Sequence, residues 1–282
     1  MAMVEVGGVR LAYDEAGSGP PVVLVHAALA DRRMWEHQFA ALAANHRTIR
    51  YDWRGYGESG DAAGEFAHHE DLLGLLDALD VDRAALIGCS MGGAHAVDVA
   101  LTAPDRVSGL ALICSGLSGH RWPPAMLTRA RERIYRAVPA DRLRRYGEHT
   151  AERIDPADIT AMAQAQLDLM LVGPDRDRGD LAPRVWESAL AMCEKVFARE
   201  WAGPPNSPRE LDPPADVRLA EVRVPALVLA GSADIPEIRD VSTLLADGIP
   251  GARRVDLPTG HLPPVEAPER VSALLSDFLT TL

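Results

Sequence analysis

Lysine is almost missing from this chain. Of 29 cationic side chains, Lys195 is the one lysine and the rest are arginine. With the abundant alanine, that skew reads as a high-GC coding habit rather than a functional signature. Arg129, Arg131, Arg133 and Arg136 accordingly read as a solvated helix face, not an anion site. Basic residues are also outnumbered: 41 acidic side chains leave a formal charge of −12. Nothing then offsets phosphate repulsion, which argues against nucleic acid and against an anionic membrane surface as partners. Cysteine is scarce and unpatterned. Cys89, Cys114 and Cys193 are odd in number and lack a C-x-x-C spacing, so they read as small buried hydrophobes in a reducing compartment. No apolar run approaches the ~20 residues of a membrane-spanning helix. The segment Met1 to Arg10 lacks the basic-then-apolar order of a secretory signal. These absences lead us to expect a cytoplasmic protein whose partner is a small-molecule substrate, and they leave a homo-oligomer open.

What is present is an ordinary globular composition. The 282 residues are 47% hydrophobic and 25% charged, enough to bury a sizeable core without disulfide or metal staples. Gly7-Gly8 between Val4-Glu5-Val6 and Val9-Arg10-Leu11 predicts a hairpin. Val22 to Val25, Thr48 to Tyr51, Ala84 to Ile87 and Leu110 to Ile113 predict strands. The continuous apolar runs among them fit strands covered on both faces. Leu72, Leu75, Leu76 and Leu79 follow helical spacing, and a small-residue helix is expected from Gly92 to about Leu101. Strands and helices that alternate in this way imply parallel crossovers in an α/β sheet. The pattern resumes with strands at Ala226 to Ala230 and Arg253 to Leu257, and with a closing helix carrying Val271, Leu274, Leu275 and Phe278. From 118 to 218 the strand signal vanishes. Trp186, Leu190, Cys193 and Phe197 fall on one helical face, Ile159, Met162 and Met170 roughly so, and a proline cluster from Pro204 to Pro214 closes the segment. We expect a helical insertion there, between two strands of one sheet.

The chemistry centres on Gly88-Cys89-Ser90-Met91-Gly92. An apolar strand runs into it and a helix leaves it, the context in which a serine sits on a sharp, strained turn. A Cβ on the flanking glycines would strike the turn's neighbours. The helix N-terminus favours negative charge developing beside Ser90. A serine hydroxyl needs a base, and the base needs an orienting acid. Asp234 lies just past the strand at 226–230, and His261 just past the last strand. The order Ser90, Asp234, His261 is the one such a strand–turn–helix site uses.

These residues carry a resemblance: the chain resembles the α/β-hydrolase family along nearly its whole length. The nucleophile turn matches Gly88 to Gly92. The family's D-x-R-G-x-G-x-S segment matches Asp52 to Ser59, its G-x-x-D acid loop matches Gly231 to Asp234, and its G-H with a later E-x-P matches Gly260-His261 and Glu266-Ala267-Pro268. The resemblance implies an α/β-hydrolase fold, a mostly parallel sheet flanked by helices. The core would comprise residues 1–117 and 219–282, with residues 118–218 as a helical cap. It implies catalytic Ser90, Asp234 and His261, with oxyanion donors at the backbone N–H groups of Ala28 and Met91. The chain departs from the family at His26-Ala27, where the second position is usually glycine, and that puts the shape of the oxyanion loop in question.

Other polar residues read as structural. We expect His26 to brace its loop, Asp52 to hold a turn, Asp98 to be a solvated or sheltered helix residue and His95 to pack. His68 and His69 point different ways and do not suit a metal. Trp35, Trp53, Trp122, Met126, Met162, Trp186 and Leu262 are the candidate pocket residues, and Trp35 and Trp53 serve equally well as core. Serine at the elbow argues against the family's dehalogenase and epoxide-hydrolase branches, whose nucleophile is aspartate. The expected activity is cleavage of a carboxylic ester or lactone of a small, largely apolar substrate, with no metal or organic cofactor required. Alternatives are a carbon–carbon hydrolase of a diketone-type ring-fission product, disfavoured by Arg54 where those enzymes usually carry proline, and a lyase, cyclase or ligand receptor on the same fold.

Overall fold

Two successive glycines make the first fold-defining turn. Strands β1 (Ala2–Val6) and β2 (Val9–Ala16) pair antiparallel, and Gly7 and Gly8 between them have φ of +53° and +76°. Glycine adopts consecutive positive φ values without strain, and the turn's twist matches that of the strands. The computed structural model describes residues 1–282.

The remaining strands are β3 (Pro21–Val25), β4 (Arg47–Tyr51), β5 (Gly64–Phe66), β6 (Ala84–Cys89), β7 (Val107–Ile113), β8 (Asn206–Pro208), β9 (Ala226–Gly231) and β10 (Arg253–Leu257). Eight of the ten form one sheet in the order β1-β2-β4-β3-β6-β7-β9-β10. From β4 through β10 every neighbouring pair is parallel. All residues of β6 and β9 are buried, which is why they read as unbroken apolar runs rather than alternating ones. Alternate side chains divide between two apolar clusters. Leu24, Ile87, Ile113 and Leu229 enter one, and Val25, Leu86, Leu112 and Val228 the other. This is the period-two signature of a sheet with a core on each face.

Helices α1 (Glu36–Leu42), α2 (His68–Ala78) and α3 (Met91–Thr102) follow the first strands. Four more, α4 (Pro124–Ala137), α5 (Ala140–Gly147), α6 (Pro156–Leu167) and α7 (Pro183–Ala202), lie between β7 and β9. The chain closes with α8 (Pro236–Gly248), α9 (Pro263–Glu266) and α10 (Pro268–Leu279). In α2, Leu72, Leu75 and Leu76 are fully buried, as their spacing requires.

Two details of the 118–218 segment differ from the sequence reading. It is not wholly helical, because β8 pairs in parallel with β5. All three β8 residues are exposed, so the pairing leaves no hydrophobic pattern to read. On α7 Cys193 and Phe197 are buried as expected, with Val185, Ala189, Met192, Val196 and Trp201. Trp186 and Leu190 flank these residues, half-buried against the same cluster. The first half of the face shifts because that apolar cluster is shared with the sheet: Leu167, Met170 and Cys193 sit in it with Ile113 and Leu229.

Helix α3 approaches β3 closely at its first turn. A Cβ at Gly92 would lie 2.3 Å from the carbonyl oxygens of both Val25 and His26. Backbone on both sides cannot yield. Gly92→Ala is expected to cost about 3 kcal/mol of stability through overpacking. Gly8→Ala, where φ is positive but nothing lies within 4 Å of the added carbon, should cost only about 1 kcal/mol. Urea unfolding of the two variants checks the contrast; equal losses would remove the close approach as the cause.

Candidate active site

Ser90 occupies the junction of β6 and α3 with φ +53° and ψ −126°, a conformation that side chains adopt only when their surroundings impose it. The surroundings do so. The Ser90 N–H donates to the Ile113 carbonyl at 3.0 Å, and the Ser90 carbonyl accepts from the N–H groups of Gly93 (2.9 Å) and Gly116 (2.8 Å). Gly88 admits the turn because a Cβ there would stand 2.3 Å from the Gly92 carbonyl oxygen.

The carboxyl ends of β9 and β10 bring the other two groups to Ser90. His261 Nε2 is 2.8 Å from Ser90 Oγ, and His261 Nδ1 is 2.6 Å from Asp234 Oδ2. Both the His261 and Asp234 side chains are fully buried. Asp234 Oδ1 accepts from the Ile235 N–H at 2.8 Å. An ionised carboxylate only accepts, so Nδ1 carries the proton and Nε2 is free to accept from the Ser90 hydroxyl. The chain Ser90–His261–Asp234 can therefore draw a proton off Ser90 and stabilise the imidazolium that results.

The inserted segment helps to hold this arrangement, a contribution the sequence did not disclose. The π-helical turn Asp168–Val172 offers the Met170 carbonyl to the His261 N–H at 3.3 Å. Arg176 donates to the Leu171 carbonyl at 2.7 Å and forms a two-pronged pair with Glu266 at 2.7 and 3.1 Å. Glu266 in turn accepts from the Gly260 N–H at 3.2 Å. π-Turns are rare and recur at functional sites.

On the other side of Ser90, the loop after β3 presents backbone donors. The N–H groups of Ala28 and Met91 donate to no backbone carbonyl, and Met91, as the first residue of α3, has no earlier turn to bond to. No residue from His26 to Asp31 has positive φ, so Ala27 in place of glycine imposes no backbone strain. His26 braces the loop, as expected. Its Nε2 accepts from the Trp53 N–H at 3.1 Å, which makes Nδ1 the donor to the Ala27 carbonyl at 2.9 Å. The ring stacks on Trp53 at 4.3 Å, and burial holds its pKa below the usual value. Asp52 is likewise structural. It accepts from the Arg32 and Glu58 N–H groups, each at 2.8 Å, and from the Arg32 side chain.

A cavity of about 350 Å³ adjoins Ala28 and Met91. Of the candidate pocket residues, Trp53 and Trp122 wall it. Trp35 and Leu262 are fully buried in the apolar cluster, so they are core rather than cavity wall. Met126 and Met162 pack against that cluster, and Trp186 lies under the Arg178 guanidinium at 4.1 Å. Most of the remaining walls were not anticipated, among them His68, His95 and Asp98. The His68 and His95 rings are 4.7 Å apart, and burial keeps both neutral, depressing His68 to about 4 and holding His95 well below the usual value. Asp98 Oδ2 accepts from Ser118 Oγ at 2.7 Å, while Oδ1 has no partner. Burial raises the Asp98 carboxyl to about 6, Ser118 opposes the shift, and Glu210 adds to it. The helical spacing of His95 and Asp98 was visible in sequence; that α2 supplies His68 to the same wall was not.

Cys114, Asp234 and His261 place possible ligand atoms within 4.8 Å of one another. They do not suit a metal: His261 Nδ1 is committed to Asp234, and burial holds the Cys114 thiol protonated, its pKa well above the usual value.

The raised Asp98 pKa has a stability consequence. Its folded-state value exceeds its unfolded value, so the advantage of the protonated folded form is present below about pH 4 and lost as pH rises to about 6. Asp98→Asn removes this dependence. Urea midpoints should show the variant gaining on the native protein by about 2 kcal/mol between pH 4 and pH 7, whereas a constant difference would refute it.

Comparison with known proteins places these features. Residues 20–268 match the model of the alpha/beta hydrolase fold family. The chain is 30% identical to a 2-hydroxy-6-oxononadienedioate/2-hydroxy-6-oxononatrienedioate hydrolase of Paraburkholderia xenovorans, over 97% of this chain and 91% of that one. A shorter match, 46% identical over 116 residues, is to the dihydrolipoyllysine-residue acetyltransferase component of an acetoin cleaving system from Pseudomonas putida; it spans 31% of that protein's length. Among solved structures, the enol-lactonase of Burkholderia xenovorans superposes with a TM-score of 0.73 at 27% identity, covering 99% of this chain and 100% of that one.

Proposed function

The chain belongs to the α/β-hydrolase family, and from that membership we propose a serine hydrolase that cleaves a carboxylic ester or lactone of a small, largely apolar substrate. The observation that carries this reading is the hydrogen-bonded chain Ser90–His261–Asp234, set on a strained turn beside backbone donors that are free to bind. His261 Nε2 takes the Ser90 proton as Oγ attacks the ester carbonyl carbon. The carbonyl oxygen becomes an anion and is held by the Ala28 and Met91 N–H groups, each such donor supporting acyl transfer by ~3 kcal/mol. The N-terminus of α3 adds its dipole. Asp234 keeps the imidazolium oriented. The C–O bond to the leaving alcohol breaks, and the alcohol leaves with the proton from Nε2. Water then gives a proton to His261 Nε2 as its oxygen attacks the acyl carbon; the bond from that carbon to Oγ breaks, Nε2 returns the proton to Oγ, and the acid leaves with Ser90 restored. The segment 118–218 serves as a cap over this edge of the sheet.

Carbon–carbon bond hydrolysis is the second reading, favoured by the dioate hydrolase named above. The same three residues serve either chemistry, and the substrate decides. Against a dioate, the cation Arg54 is committed to Asp71 through bonds of 2.8 and 2.6 Å.

A screen of p-nitrophenyl esters, lactones and vinylogous diketones is the direct test. Ser90→Ala should lower kcat on the accepted ester or lactone by roughly 10⁴-fold or more, and Asp234→Asn by about 10⁴-fold. An organophosphonate should label the native protein and not Ser90→Ala. Turnover that survives in Ser90→Ala would remove the nucleophile assignment, and Ser90-dependent turnover of diketones alone would select the second reading.

A further inference from the structure

The backbone of the loop that carries His261 is held from two sides. Toward the sheet its partners are thiols. The Gly260 carbonyl accepts from Cys114 Sγ and the His261 carbonyl from Cys89 Sγ, both at 3.7 Å. On the other side the Gly260 N–H donates to Glu266 Oε2 at 3.2 Å, and the His261 N–H donates to the Met170 carbonyl at 3.3 Å. A thiol is a weak donor, whereas a bond to a carboxylate is charge-assisted and roughly twice as strong as a neutral one. The firmer hold on the loop is therefore the one away from the thiols.

Both parts of that hold meet one side chain, Arg176. Its Nη1 and Nη2 pair with the two Glu266 oxygens at 2.7 and 3.1 Å. Its Nε and Nη2 also donate to the Val172 and Leu171 carbonyls at 3.0 and 2.7 Å. These carbonyls end the π-turn that presents Met170, and the last carbonyls of a helical turn have no partner of their own. One guanidinium thus fixes the acceptor for Gly260 and the turn that carries the acceptor for His261. A planar fork of donors suits that double task, and a single ammonium does not. The packing leaves no slack. A Cβ at Gly260 would lie 2.1 Å from the Leu171 carbonyl oxygen and 2.6 Å from Arg176 Nη2, and one at Gly173 would lie 2.1 Å from the carbonyl oxygen of Ala233, the neighbour of Asp234.

We propose that Arg176 is a positioning residue for His261, which sets the place of the imidazole between Ser90 and Asp234 through Glu266 and the turn 168–172. The proposal deepens the serine-hydrolase reading and rests on it. Arg176 bonds to none of the three reacting side chains, so its effect is on where the base stands and not on its chemistry. A displacement of about 1 Å in such a group is worth up to about 100-fold in rate. The inserted segment is then required for the base to act, and residues 168–176 stay docked on the sheet throughout turnover.

Three readouts test this: hydrolysis of p-nitrophenyl butyrate, the rate of labelling by a p-nitrophenyl phosphonate ester, and the low-field proton resonance of His261 Nδ1–H. Arg176→Ala should lower kcat roughly 10- to 100-fold with KM little changed, and slow the labelling by the same factor. The His261 resonance should move upfield as its bond to Asp234 loosens. The Arg176 side chain is 17% exposed, so a small cation can enter the space that alanine leaves. About 50 mM guanidinium chloride, far below denaturing strength, should restore kcat several-fold in Arg176→Ala, and sodium chloride of equal strength should not. Arg199→Ala is the control. It cuts a tie of similar size from α7 to the Tyr56 and Gly57 carbonyls, at 3.2 and 2.7 Å, and to Asp61 at 2.7 Å. It loosens the inserted segment elsewhere and should leave kcat and the resonance in place. Equal losses in the two variants, or an unmoved resonance in folded Arg176→Ala, overturn the positioning role. If Arg176→Ala does not fold, Arg176→Lys carries the test: kcat should fall about fivefold because one ammonium cannot hold Glu266 and the turn together, and a native kcat overturns the proposal. A native protein that neither cleaves the ester nor takes the label at Ser90 fails the hydrolase reading instead, and the resonance shift then still decides whether Arg176 positions His261.

Discussion

The contact between the start of α3 and the carboxyl end of β3 is the constraint on which the site depends. Gly92 sits where any side chain would strike the Val25 and His26 carbonyls. That closeness brings the Ala28 loop and the Met91 N–H to the same side of Ser90. Beside it Ser90 has a positive φ, and its Oγ lies 2.8 Å from His261 Nε2. Strain at one residue is sustained because backbone hydrogen bonds from Ile113, Gly93 and Gly116 over-determine it.

Around that fixed point, the remaining groups are held at one remove. His26 ties the Ala27 carbonyl to the Trp53 backbone and so shapes the loop that carries the Ala28 N–H. Asp52 does the same for the turn from Arg32 to Glu58. His261 is positioned from two sides, by Asp234 from the sheet and by the Met170 carbonyl from the inserted helices. The inserted segment is thus part of the support of the site, and it shares an apolar cluster with the sheet beneath it.

Much of the fold was legible because its strands and helices carry their own periodicities. β3, β6, β7 and β9 are buried on both faces and read as apolar runs. α2 and α10 are buried on one side and read as stripes. β8 was not legible, since three exposed residues paired only through backbone leave no pattern. On α7 Cys193 and Phe197 are buried as read, whereas in the first half of the helix Val185 and Ala189 are buried in place of Trp186 and Leu190. A stripe of apolar residues wider than the contact does not say which of its edges turns inward. Trp35 had two equal readings, and packing in the core chose between them.

Sequence by itself determined the sheet class and the strand–turn–helix that carries Ser90, and it marked Ser90, Asp234 and His261 as candidates, because each lies at the end of a strand with a local signature. It also marked Asp52 and His26 as structural, but the same reading of His95 and Asp98 missed that both wall the cavity. Only the tertiary structure decided what lines the cavity. His68, His95, Asp98 and Ser118 come from α2, α3 and the loop after β7, and no periodicity within one element reports what a second element places against it. The lowered histidine pKa values and the raised Asp98 pKa arise from burial, and burial is a property of the packed assembly rather than of any residue's neighbours along the chain.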